Sequence, residues 1–364
     1  MNLKEFYNQD FLQKLAIELA KYDQKFPTKK FLTIPIAQWS ELELKQRMRF
    51  ISLRIHKFLS EKNFPKQLEI LKKTANTIQK DKNSQLTLII FPDFIEVFGR
   101  EHFQISMRAF EFFTEFGSAE FAVRKFIEID CEAALKFFTK WVEDRNFYVR
   151  RLASEGVRPR LPWGVALSEF KKNPKPILPI LEKLKFDESE YVRRSVANNL
   201  NDISKDHPVT VLETLKQWKC DGVNARLIKH ALRTLLKRGD KSALELIGIK
   251  DSEDKKFSIQ NFALQKAEIR NSENLSFSFD LESSASDAKI RLEYAIYFLQ
   301  KSGSHGKKIF QITTKNFSKG VFTFSKKHPF RDLTTRKHYS GEHMISLIVN
   351  GVELVKLQFF LTKK

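Results

Sequence analysis

Cysteine occurs only twice in 364 residues, at Cys131 and Cys220, far apart and in no metal-ligand spacing. That excludes a cysteine-held metal and leaves two buried free thiols in a reducing compartment as the expectation. Long apolar runs are also missing. Nowhere do about eighteen apolar residues stand together, so no segment reads as a membrane-spanning helix. The opening stretch, MNLKEFYNQDFLQKLAIELAKY, is broken throughout by Lys, Glu and Asp and reads as no signal peptide. There is no Gly-rich phosphate loop and no HExxH, so neither a cofactor nor a metal is expected. Acid is the scarcer charge: Asp plus Glu number 44 against 64 Lys plus Arg, a net charge of +20. Such an imbalance repels itself in a compact chain and points to a polyanionic partner. The plainer alternative is lysine filling solvated positions.

What is present falls into two parts. Up to residue 254 the periodicity is helical. LELKQRMRFISLRIHKFLSEK, for example, sets Met48, Ile51, Leu53, Ile55 and Phe58 on one broad apolar face. Breaks are expected at Phe64-Pro65, Phe91-Pro92, Asn173-Pro174, His207-Pro208 and Arg238-Gly239. Two units repeat. The run from Asp144 through Tyr148-Val-Arg-Arg recurs from Asp187 through Tyr191-Val-Arg-Arg, 43 residues later, and a weaker third copy lies at Ile228–Leu232. A period near 40 built of helix pairs predicts an all-α HEAT-like repeat solenoid, an α/α superhelix. Each copy would offer two basic side chains at the start of its second helix.

From residue 255 to 364 the pattern alternates with period two, and Asn350-Gly351 between two such runs marks a hairpin. About seven short strands predict an all-β immunoglobulin-like sandwich after a charged linker at 250–256. Ten Lys or Arg and a single acid, Asp332, lie between Lys301 and His338, so one loop-rich end of the sandwich is expected to be basic.

The stretch YVRRLASEGVRPRLPWGVAL, Tyr148 to Leu167, surrounds one acid, Glu155, with four arginines. Arg151 and Glu155 are four apart and share a helix face. Pro159 and Pro162 should end that helix, leaving Arg158, Arg160 and Trp163 on a loop. Taken singly, these residues have ordinary explanations. Glu155 would pair with Arg151, Glu120 with Arg124, and Asp202 would cap a turn. Trp163 would pack between repeats, and the Val-Arg-Arg pairs would form ladders between them.

Three motifs change the balance. FGSAEFAVRKFI (Phe116 to Ile127), VRRLASEGVRPRLPW (Val149 to Trp163) and VRRSVANNLNDISKDHP (Val192 to Pro208) resemble the AlkC branch of the AlkC/AlkD DNA alkylation-repair glycosylases. The trailing β domain is similar in pattern to the immunoglobulin-like domain of the long AlkC form. The resemblance implies a monofunctional DNA glycosylase that removes cationic N-alkylated bases, 3-methyladenine and 3-methylcytosine. It would do so without flipping the nucleotide into a pocket, unlike most glycosylases. It carries catalytic roles onto Glu120, Glu155, Trp163 and Asp202. DNA contacts would come from Arg124, Arg150, Arg151, Arg158, Arg160, Arg193, Arg194 and Lys229. In the β domain they would come from Lys307, Lys308, Lys326, Lys327 and Arg336, with Arg331 and Lys337 nearby, closing on the duplex from the other side.

The chemistry suits those residue types. An N3-alkylated base is already cationic and leaves without an acid, through a sugar of oxocarbenium character. Carboxylates beside C1′ would stabilise that sugar and orient a water. An indole would favour a cationic lesion. The expected partner is double-stranded DNA containing alkylated bases, bound by a cytoplasmic monomer that sits on the bacterial nucleoid when engaged, with no membrane, metal or cofactor. The rival readings are a non-catalytic HEAT-repeat protein that binds distorted duplex and a HEAT scaffold for an acidic protein.

Overall fold

The computed structural model describes residues 3–34, 36–59, 61–78, 84–249, 256–332 and 337–363. Among the described residues helices run as far as Leu246 and strands begin at Phe257, so the change of period in the sequence is a change of secondary structure. Contacts divide the chain into two compact units, Met1–His207 and Pro208–Lys364. The helices from Pro208–Cys220 to Lys241–Leu246 therefore pack in one unit with the strands. Among the described residues no helix is long and apolar enough to cross a membrane.

In the first unit, short polar caps start the helices. Asp130 accepts from Ala133 N (2.9 Å) to open Cys131–Trp141, and Asn146 accepts from Tyr148 N (2.9 Å) to open Phe147–Glu155. The two copies of the repeat place Phe147–Glu155 against Glu190–Ile203. Val149, Leu152, Ala153, Val192, Val196 and Leu200 are buried there, and polar contacts run among them: Asn199 Nδ2 donates to Ser154 O at 2.9 Å. On the helix Leu44–Leu59, Met48, Ile51 and Ile55 are buried as the periodicity requires, but Leu53 is exposed. Both cysteines depart from expectation. Cys131 is half-buried and Cys220 exposed, since each stands at a helix terminus rather than on a core face.

Among the described residues the sandwich has eight strands: β1 (Phe257–Leu264), β2 (Glu268–Arg270), β3 (Asn274–Ser283), β4 (Ala288–Leu299), β5 (His305–Phe317), β6 (Gly320–Pro329), β7 (Gly341–Val349) and β8 (Val352–Thr362). One sheet runs β1-β3-β6 and the other β2-β8-β7-β4-β5, antiparallel except for the β2–β8 pair. Strand β3 alternates as expected, burying Leu275, Phe277, Phe279 and Leu281. The expected hairpin closes β7 onto β8, with Asn350 (φ 51°) and Gly351 (φ 83°) both left-handed, as a two-residue turn of this kind requires.

Strand β4 does not alternate. Arg291, Glu293 and Ala295 are buried as well as Ile290, Leu292 and Ile296. The second face of its sheet is covered by helices of the same unit: Lys289 Nζ donates to Ile247 O at 2.7 Å. Gly239, which caps the helix Arg233–Arg238 at φ 71°, comes so close to Gly351 that a Cβ on Gly239 would lie 2.9 Å from the Gly351 Cα. No side chain fits at either turn.

Candidate active site

The helix Phe147–Glu155 ends at the acid singled out in the sequence, and its last backbone bond runs from Gly156 N to Leu152 O (2.8 Å). The chain then turns through Pro159 and Pro162, and Leu167 N returns to Pro159 O at 3.1 Å. This loop is held at both ends from below. Arg124, on the helix Val123–Ile129, donates from Nε to Val165 O at 2.6 Å and from Nη1 to Gly156 O at 3.1 Å. Lys45 Nζ donates to Trp163 O. At the tip Trp163 takes φ 63°, a region that costs a bulky L-residue about 1–2 kcal/mol, and its indole is 64% exposed. An apolar ring held outward in a strained backbone is the reverse of inter-repeat packing.

The three acids join through two guanidinium groups. Arg151 Nη1 donates to Glu120 Oε2 at 3.1 Å, and Arg151 Nη2 lies 3.8 Å from Glu155 Oε1. Arg158 Nη1 donates to Glu155 Oε1 at 2.6 Å, while its Nε and Nη2 both reach Asp202 Oδ2 at 2.8 Å. The result is a continuous chain, Glu120–Arg151–Glu155–Arg158–Asp202. All three acids are nearly covered, at 9%, 5% and 2% exposure in that order. Burial by itself works against the charge on Arg151 and Arg158, but the adjoining carboxylates outweigh it and hold both above the ordinary arginine range. Arg124 behaves oppositely. Its pKa is lowered to about 10, by burial first and by the Arg158 charge second, because its own bonds go to carbonyls.

The acids are not equivalent. Glu155 uses both oxygens, since Ser195 Oγ donates to Oε2 at 2.5 Å. Asp202 does too, with Lys205 Nζ on Oδ1 at 3.0 Å. Among the described residues Glu120 Oε1 accepts no hydrogen bond.

The basic residues sort into two sets. The first arginine of each repeated pair turns back onto its own preceding loop: Arg150 onto Asp144 O and Arg145 O, Arg193 onto Asp187 O and Glu188 O. Arg150 also bridges to the next copy through Asp187 Oδ2 at 2.6 Å. These are the ladders of the ordinary explanation. The second arginines differ: Arg151 enters the acid cluster and stacks over the Tyr191 ring at 4.4 Å, and Arg194 is exposed. Arg160 pairs with Asp206 at 2.5 Å. Arg124 is buried, with its visible bonds holding the Trp163 loop. Arg150→Met is expected to destabilise the fold by about 3 kcal/mol, because Asp187 would be left buried and unpaired. A urea-unfolding midpoint equal to wild type would mean the bridge contributes nothing.

In the sandwich, Lys307 and Lys308 lie on β5 and Lys326 and Lys327 on β6, not in loops as the sequence suggested. Both are edge strands, where lysines also discourage pairing with another sheet. Lys307 is tied to Glu353 at 2.5 Å, whereas Lys308, Lys326, Lys327, Arg331 and Lys337 are exposed. Lys229 belongs to the second unit, and Arg336 lies outside the described residues.

Sequence reasoning missed Ser195, Lys205, Tyr191 and Lys45. Ser195 had a signal: it stands where the first repeat copy carries Leu152, a polar residue at an apolar position of the repeat.

Comparison with known proteins places the chain. Residues 113–236 match the family described as "DNA alkylation repair enzyme", and residues 258–363 match "Uncharacterised protein YhaZ, C-terminal Ig-like domain". The chain is 42% identical to the "Uncharacterized protein YhaZ" of Bacillus subtilis (strain 168), covering 98% of this chain and 99% of that one. It also matches the structure of the Pseudomonas fluorescens alkylpurine DNA glycosylase AlkC bound to DNA containing an abasic site analog. There the TM-score is 0.93 at 37% identity, with 100% of both chains covered.

Proposed function

The chain belongs to the DNA alkylation repair enzyme family, and on that footing we propose that it is a monofunctional DNA glycosylase. Its reaction is hydrolysis of the N-glycosidic bond of cationic N-alkylated bases, 3-methyladenine and 3-methylcytosine, without extrusion of the base. The observation that carries this reading is the Glu120–Arg151–Glu155–Arg158–Asp202 chain, which gathers three nearly buried acids and leaves one oxygen of Glu120 open.

The lesion leaves as a neutral base, so the protein has no leaving group to protonate. It has to stabilise positive charge that develops on the sugar and to deliver one water. Buried anionic charge is effective at that task because little water screens it. Glu120, with an oxygen not engaged by the protein, orients the water. Glu155 and Asp202, whose oxygens are all engaged, supply field and fix the arginines. Trp163 offers its π-face to the cationic lesion. Residues 1–254 are the glycosylase domain and 255–364 an auxiliary DNA-binding domain, and the enzyme acts as a monomer on the DNA of the cytoplasm.

One observation favours a second reading. The full satisfaction of Glu155 and Asp202 by protein donors also suits a non-catalytic protein that binds distorted duplex. Incubation with duplexes carrying single methylated bases separates the two. Release of 3-methyladenine and an abasic site is expected; tight binding with no base released from any duplex would leave the non-catalytic protein.

A further inference from the structure

The loop that carries Trp163 meets the helix Leu44–Leu59 across a gap. A pocket of about 450 Å³ there is lined by Lys45, Arg49 and Phe50 of that helix and by Phe121, Arg124 and Val165 on the side of Glu120 and Trp163. All of it lies within Met1–His207. Lys45, in the first turn of the helix, makes two contacts out of it. Its Nζ donates to Trp163 O, 118 residues away, and the same ammonium stands 4.4 Å from the centroid of the Phe121 ring. Phe121 directly follows Glu120. One side chain therefore touches the backbone of the strained tryptophan and the neighbour of the acid whose oxygen is open.

The helix that presents Lys45 is itself fixed. Arg49, one turn on, donates from Nη2 to Asp93 Oδ1 at 2.8 Å and to Glu96 Oε1 at 2.9 Å, and Ser52 Oγ donates to Ile90 O at 3.1 Å. Lys45 is exposed along its length, but its ammonium is not simply solvated: burial lowers its pKa first, and the Arg49 charge adds to that against the opposing charges of Glu96 and Asp93. The indole needs such an anchor. With 64% of Trp163 exposed, packing does not set the pose of the ring, so its backbone must. Arg124 holds the carbonyls of Gly156 and Val165 on either side, and the Lys45 bond falls on the tryptophan itself.

We infer that Lys45 is a positioning residue of the glycosylase: through Trp163 O and the Phe121 ring it sets the place of the indole relative to Glu120, an inference that rests on the proposed function. It touches neither lesion nor water in this role and acts through Trp163. Small displacements matter for such a task, because a misplacement of about 1 Å in a reacting geometry costs as much as a hundredfold in rate.

The test uses the full chain labelled with 5-fluorotryptophan. Of the four tryptophans, Trp163 is assigned by the resonance that Trp163→Phe removes. Lys45→Met should shift the fluorine signal of Trp163 and leave those of the buried Trp141 and Trp218 in place. With saturating protein its single-turnover excision of 3-methyladenine should fall about twentyfold. Affinity for undamaged duplex and its salt dependence should stay as in the wild type. Lys45→Arg should restore both signal and rate, since a guanidinium can also donate to the carbonyl and stack on the ring. A rate loss that arginine does not restore, or that comes without the Trp163 shift, overturns the inference. So does a salt slope lower by about 1 with an unchanged rate, which would make Lys45 a phosphate contact. A wild-type chain that excises nothing loses the glycosylase reading, and the fluorine shift still decides whether Lys45 holds the indole. A wild-type chain that excises no faster than Lys45→Met keeps that reading and loses this one.

Discussion

Glu120→Gln is expected to lower the single-turnover excision rate for 3-methyladenine by about a thousandfold, while affinity for undamaged duplex changes by less than about threefold. The substitution removes one negative charge and keeps the shape. Arg151 retains a carboxylate at 3.8 Å in Glu155, so it is not left unpaired. Stability should therefore hold. Glu155→Gln makes the informative contrast. It sits between Arg151 and Arg158 and accepts from Ser195, so losing its charge leaves buried guanidinium charge less compensated. Excision should fall as far, but with a loss of stability of about 2–3 kcal/mol that Glu120→Gln does not show. Retained turnover in Glu120→Gln would move the water to another group. An equal drop in stability for both would mean that the two acids have the same structural duty and that the difference in their free oxygens is without consequence.

Much of this architecture is legible in the sequence because it is local. The shift from helical to alternating pattern near residue 255, the Asn350-Gly351 hairpin and the 43-residue repeat each depend on neighbours within a few turns. What stays hidden depends on segments distant in sequence. Strand β4 reads as half-buried, but helices of the same unit cover its second face and force Arg291 and Glu293 inside. The pairing of the acids is hidden for the same reason. Spacing offers Glu120 the nearby Arg124 and Glu155 the nearby Arg151. The fold gives Glu120 to Arg151, 31 residues away, and ties Arg158 to Asp202 across 44. Arg124 faces inward because the loop carbonyls of Gly156 and Val165 need a donor. Sequence can list the members of such a cluster, and only the packing of one repeat on the next decides who holds whom.

Trp163→Gly is expected to leave the melting temperature equal to or above wild type while lowering excision about a hundredfold. The two effects come from different atoms. The backbone at φ 63° is a conformation that glycine adopts freely and tryptophan adopts at a cost of about 1–2 kcal/mol. Removing that cost offsets the greater freedom glycine gives the unfolded chain, about 0.5–1 kcal/mol. The indole, being 64% exposed, contributes little burial that could be lost. Whatever activity disappears therefore belongs to the ring. Trp163→Phe separates aromatic character from size, because a smaller ring in the same strained position should recover part of the rate and none of the stability. If Trp163→Gly instead melts several degrees lower, the ring packs against the protein in solution and its outward pose is not what the lesion meets. If stability rises and excision is unchanged, the strain at this tip serves no chemistry. Trp163 would then be a passenger on a loop that Arg124 and Lys45 hold for other reasons.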